Sequence, residues 1–199
     1  SHESFRTVPA RRTAASVFSS GVPAAFVALA DAAAARHGIE PALLRAVIAR
    51  ESGWTSSAYS RRASAQQWRR VQSKPGHVFR QGGASRSLKD HGSFADPTAW
   101  GAYGLGQVML LTGLTFGLPF DSPPSALLDP ATNLDISARV LRRYSDRAGG
   151  DIRWTAAMYH AGAGNVRIND PLRWPTHPFD TVAYSADVLD LYLAERGDG

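Results

Sequence analysis

A mainly α-helical domain, interrupted by one long irregular insertion at about residues 61–100, is the fold the sequence predicts. Three observations lead there. Helix start and stop residues bracket apolar positions at three- and four-residue spacing in several stretches. Between residues 55 and 100 that rhythm is lost, and Ser, Gln, Gly, Arg and Lys take over. A chain of 199 residues, 44% hydrophobic and 20% charged, carries enough apolar material for one sizeable core. The same composition excludes wholesale disorder, collagen-like and coiled-coil architectures.

Residues 1–20, rich in Ser, Thr, Ala and Arg, read as a loose arm ahead of a domain at 21–199. Pro23 opens the first helix, which runs through Arg36 and stops at Gly38. Pro41 opens a second, to about Ser52. Within the insertion His77 to Arg80 is a candidate short strand, compatible with a β-hairpin. A Gly-rich passage (Gly101, Gly104, Gly106) leads into an apolar stretch from Val108 to Leu118. Asp129-Pro130 starts a long helix with Leu134, Ala138, Leu141 and Ser145 at helical spacing, closed by Gly149-Gly150. Asp151 to Ala161 forms the next, stopped by Gly162 and Gly164. After Pro171, Pro175 and Pro178, Thr181 to Arg196 makes a last amphipathic helix. There is no internal repeat.

The formal charge is +5, which points towards anionic partners such as nucleic acid, a membrane surface or an acidic polymer. The surplus is local. From Arg61 to Asp96 there are eight bases and two acids, net +6, so the rest of the chain carries −1. No cysteine is present, which excludes disulfides, thiol nucleophiles and thiolate metal sites. The six histidines show no ligand spacing, so neither a metal nor a cofactor is expected. The first residues lack the apolar core of a signal peptide, and a removed signal stays open. The run Val22 to Ala35 is too short to span a bilayer and contains Asp31, so no transmembrane segment is expected.

Of the four glutamates, Glu51 stands out. Leu44, Val47 and Ile48 lie at i, i+3 and i+4, and Glu51 is i+7, on the face expected to be buried. Partial desolvation there would raise a carboxyl pKa towards the range of a general acid. The competing reading is that the helix end lets Glu51 emerge into solvent or pair with an arginine. Against it, an acid in the last helical turn opposes the macrodipole.

Leu43 to Trp54 (Leu-Leu-Arg-Ala-Val-Ile-Ala-Arg-Glu-Ser-Gly-Trp) resembles the catalytic helix of the soluble-lytic-transglycosylase-like domain, within the lysozyme-like superfamily. Further blocks match in order. Ala102 to Met109 is similar to that family's Gly-Leu-Met-Gln segment, and Asp129-Pro130 with Asn133-Leu134 and Ala138 to Leu141 to its following helix. Ala157 to Val166 resembles its Ala-Tyr-Asn-Ala-Gly block, and Asp180-Thr181 with Tyr184 and Val188-Leu189 its closing helix. The resemblance implies a lysozyme-like helical fold and cleavage of the β-1,4 bond between N-acetylmuramic acid and N-acetylglucosamine, leaving a 1,6-anhydro sugar. One glutamate would act as acid and then base, a substrate-assisted exception to the two-carboxylate scheme.

Carried over by position, the resemblance makes Glu51 the acid/base and places Ser52, Ser60, Gln107, Met109, Tyr159, His160, Asp180 and Tyr184 at the substrate. Gln107 and Met109 would line the sugar groove, Tyr159 would bring a hydroxyl within reach of Glu51, and Tyr184 would support the wall. Without the motifs, Tyr159 and Tyr184 read equally as core. Trp54, Trp68, Trp100, Trp154 and Trp174 could stack on sugars or simply fill cores. The chain departs from the pattern at three positions. Gly106 stands where Met is usual, removing a groove side chain, His160 stands for Asn, and Asp180 for Glu.

Other readings remain at this point. A goose-type lysozyme-like hydrolase on the same architecture would need a second carboxylate, Asp96 or Asp90, to activate water. A non-catalytic wall-binding module of a secretion, conjugation or phage machine is a different class. Nucleic-acid binding is not expected, because no recognition motif accompanies the basic segment. The expected partner is peptidoglycan, with Arg61, Arg62, Arg69 and Arg70 placed to meet wall anions. The expected location is the periplasm or the exported cell-wall space, with phage origin also open.

Overall fold

The computed structural model describes residues 21–61, 78–81, 83–167, 170–176 and 180–197. The expected N-terminal arm, Trp68, Arg62, Arg69 and Arg70 lie outside the described residues.

In chain order the elements are α1 (Ala24–His37), α2 (Pro41–Ser52), β1 (Tyr59–Ser60), β2 (Val78–Gln81), β3 (Ala84–Ser87), β4 (Ala102–Tyr103), β5 (Val108–Met109), α3 (Leu110–Thr115), α4 (Pro130–Arg147), α5 (Ile152–Ala161) and α6 (Thr181–Arg196). The fold is mainly helical with a small amount of sheet, as the residue pattern predicts. Local chemistry sets the helix ends. Asp129, Asp151 and Asp180 accept hydrogen bonds from the backbone N–H of Thr132, Trp154 and Ala183 at the starts of α4, α5 and α6. Pro41 and Pro130 occupy first-turn positions whose N–H has no helical partner. Gly38, Gly53 and Gly197 close α1, α2 and α6 in the left-handed conformation.

Among the described residues, two small sheets lie within and just after the region that lacks helical rhythm. Of the candidate strand His77 to Arg80, His77 lies outside the described residues, and the rest falls in β2, which pairs antiparallel with β3 as a hairpin, from Val78 opposite Ser87 to Gln81 opposite Ala84. A second sheet has the order β1-β4-β5, with Tyr59 opposite Tyr103 and Ala102 opposite Met109. The sequence gives no hint of this second sheet, because strands of two residues are too short to show alternation.

Among the described residues the core has three parts, and α4 joins two of them. Leu134, Ala138 and Leu141 of α4 pack with Ala30, Ala33 and Ala34 of α1, Leu44, Val47 and Ile48 of α2, and Val188 and Leu191 of α6. On its other side Ile136 and Val140 pack with Phe94, Trp100, Tyr103, Leu114 and Leu127. Trp154 and Met158 of α5 gather Val166 and Trp174 into a third cluster. The later part of the insertion is therefore structural. Leu88, Phe94 and Trp100 are core residues, and the Gln81 side chain donates to Leu118 O at 2.7 Å while accepting from Phe120 N at 2.8 Å. Among the described residues, no helix is long and apolar enough to cross a membrane.

Candidate active site

Glu51 lies in the last turn of α2, half-buried, with the helix closed two residues later by Gly53. The Tyr184 hydroxyl donates to Glu51 Oε1 at 2.7 Å, from the first turn of α6. Tyr184 is 2% exposed and belongs to the central core. Burial, the adjacent Glu51 charge and the hydrogen bond to Glu51 push its phenol well above the ordinary value, against the opposing Arg50 charge. It therefore remains a neutral donor across the physiological range. His160 and Arg50 both lie against its ring. His160 stacks on it with centroids 4.3 Å apart and planes 10° apart, and the Arg50 guanidinium lies 5.2 Å from its centroid.

The Gly-rich passage forms the turn between β4 and β5. Gln107 N donates to Gly104 O at 3.1 Å, and Gln107 has φ +50°, a conformation that costs a side-chain-bearing residue about 1–3 kcal/mol. Its side chain folds back, Nε2 donating to Gly104 O at 3.0 Å and to Ala58 O at 3.3 Å. Fully buried Asn133 braces the turn from α4. Its Oδ1 accepts from Gly106 N at 2.7 Å, and its Nδ2 donates to Tyr103 O at 2.8 Å and Leu127 O at 2.7 Å. Tyr159 of α5 donates to Gly106 O at 2.7 Å and lies 3.2 Å from the Ser137 hydroxyl.

Gly106 proves different from the sequence expectation. It is buried, and a Cβ there would overlap the Ser137 hydroxyl and stand 2.7 Å from that of Tyr159. The missing side chain is thus absent from the interior contact with α4 and α5.

The other positions fall as follows. Ser52 is half-buried, with its hydroxyl 3.4 Å from Ile48 O one turn back. Ser60 is exposed on β1, and half-buried Met109 immediately precedes α3. Asp180 caps α6 through Ala183 N at 3.0 Å. Trp54, Trp100, Trp154 and Trp174 are all buried, so these four fill the interior. Asp96, the first candidate second carboxylate, is exposed and caps a turn through Thr98 N at 2.9 Å. Hydrogen bonds from the Thr98 backbone and side chain hold it below the usual carboxylate range. Asp90, the other candidate, accepts from Ser87 N at 3.3 Å. Sequence reasoning missed Asn133 and Ser137 as supports of the turn. The available signal was polar residues spaced by four on an otherwise apolar face of α4.

The transglycosylase SLT domain profile matches residues 28–170, well over half of the chain. The chain belongs to this family. Two curated relatives, each named soluble lytic murein transglycosylase, come from Escherichia coli K12 and Escherichia coli O157:H7. Each is 38% identical over 71 residues, which is 34% of this chain and 11% of the relative. The chain thus aligns with about a tenth of the length of these curated relatives. No solved structure gives a significant match. The SLT match includes Glu51, Ser60, Gln107, Met109, Tyr159 and His160 but ends before Asp180 and Tyr184. The hydroxyl on Glu51 therefore comes from a helix beyond the matched segment.

Proposed function

We propose that this SLT domain is a peptidoglycan lytic transglycosylase in which Glu51 alone acts as acid and base. The observation that carries the reading is the half-buried Glu51 carboxyl at the end of α2, held by the phenol of Tyr184. Protonated Glu51 gives its proton to the oxygen joining muramyl C1 to the next sugar, and the C1–O bond breaks. The N-acetyl carbonyl of the muramyl residue stabilises C1. The Glu51 carboxylate then takes the proton of the muramyl 6-hydroxyl, O6 bonds to C1, and the anhydro ring closes. No water is consumed.

The capping role of Asp96 favours this reading over a hydrolase that would use it. A carboxylate held by hydrogen bonds below its usual range is a weaker base for activating water. The relatives' name supports a periplasmic or cell-wall location. Arg61 is exposed after β1, which supports the reading that it meets wall anions.

Digestion of purified peptidoglycan followed by mass analysis of the muropeptides tests the reaction. Anhydro-terminated products that vanish in Glu51→Gln are expected. Reducing ends in their place would sink the transglycosylase reading, and an undiminished rate in Glu51→Gln would remove Glu51 from the chemistry altogether.

A further inference from the structure

His160, in the last turn of α5, lies flat against the ring of Tyr184, 4.3 Å between centroids and 10° between planes. Its Nδ1 is 3.2 Å from Oγ1 of Thr181, which is fully buried at the start of α6. One turn along α6, Tyr184 reaches Glu51. From α2, the Arg50 guanidinium lies 5.2 Å from the Tyr184 ring centroid, and its Nε donates to Asp187 Oδ2 at 3.1 Å. The Tyr184 ring is thus bounded by side chains of α5 and α2, while its backbone belongs to α6.

A tyrosine hydroxyl sits at the far end of a lever that turns on two torsions. A small tilt of the ring becomes a larger displacement at the oxygen. Proton transfer is sensitive to such displacements, and misplacement by about 1 Å costs a rate factor of about 10². We propose that His160 is a positioning residue, whose stack on Tyr184 fixes the ring plane and so holds the phenolic hydroxyl on Glu51 Oε1. The inference rests on the reading of Glu51 as the acid/base. It gives His160 work inside the protein, where the sequence resemblance implies contact with substrate. A flat ring is what the role needs. Phenylalanine supplies one, whereas asparagine keeps a polar end for Thr181 and supplies none.

The test compares wild type with His160→Ala, His160→Phe and His160→Asn in two measurements. In the first, kcat and KM for muropeptide release are separated. His160→Ala is expected to lower kcat about tenfold with KM held within about twofold, His160→Phe to regain most of the loss, and His160→Asn to stay with alanine. The second needs no turnover. Tyrosine labelled with carbon-13 at Cζ gives six signals, that of Tyr184 being assigned by its loss in Tyr184→Phe. Glu51→Gln marks where the signal falls without the carboxylate. The Tyr184 signal should move towards that mark in the alanine and asparagine variants and stay near wild type in the phenylalanine variant.

A raised KM with kcat retained would show that His160 touches substrate, overturning the proposal. Rescue by asparagine and not by phenylalanine would assign the effect to the Thr181 contact, also overturning it. So would a Tyr184 signal unmoved in His160→Ala. If wild type releases no anhydro products, the proposed function fails, and the Tyr184 signal still decides the stack.

Discussion

Tyr184 donates its phenolic hydrogen to Glu51 Oε1 over 2.7 Å, joining residues 133 positions apart in the chain. The contact answers a local electrostatic problem. A carboxylate in the last turn of α2 faces the negative end of that helix. A donor from another helix offsets the repulsion, and burial keeps that donor neutral.

Tyr184→Phe keeps the ring and removes the donor. Muropeptide release should fall about tenfold through kcat, because the carboxyl loses the bond that orients it. Stability should fall by only about 1 kcal/mol, the usual net worth of one hydrogen bond. Kinetics and denaturant midpoints measured on the same preparation separate the two effects.

The raised pKa of Tyr184 also predicts an alkaline limit. A phenol whose folded pKa lies above its unfolded value near 10 contributes stability that is intact below pH 10. That contribution is lost as pH rises from about 10 towards the folded value. In Glu51→Gln the Tyr184 titration should move down, since the Glu51 charge vanishes, yet stay above the ordinary value because burial persists. Absorbance at the tyrosinate band, with Tyr184→Phe as subtraction, follows it.

Asn133→Leu should be costly despite similar volume. It strands Gly106 N, Tyr103 O and Leu127 O in the interior, and each lost partner is worth about 1–3 kcal/mol. A total of at least about 3 kcal/mol is expected in chemical unfolding, with faster amide exchange at Gly106 and Gln107 than at the middle of α2.

Gly106→Ala should destabilise the protein by about 1–3 kcal/mol, through overlap of the new methyl with Ser137 and Tyr159. Adding Ser137→Gly removes the nearest obstacle and should recover part of the loss. Equal midpoints for the single and double variants would place the strain elsewhere.

The helices were legible because their signals are local. The stretch Thr181 to Arg196 carries its own cap and stop residues, and its predicted bounds coincide with α6. Glu51 was legible for the same reason, as one carboxylate out of place on an apolar stripe. The sheet β1-β4-β5 was not, since its register depends on pairing residues more than 40 positions apart. Gly106 was misread because the family pattern supplies a residue type without a direction. Its direction is set by Ser137 and Tyr159, on two later helices.

Sequence by itself determined the approximate bounds of α1, α2, α4, α5 and α6, though not helix α3, together with the single misplaced glutamate and the basic bias of residues 61–96. These rest on periodicity, capping chemistry and counting, each local or additive. Tertiary structure alone decided that the Tyr184 hydroxyl reaches Glu51 and that the Tyr159 hydroxyl reaches Gly106 O. It also decided that His160 lies on that tyrosine, and that the end of the insertion belongs to the core. The physical reason is that such contacts depend on how α2, α5 and α6 pack, and packing couples side chains far apart in the chain.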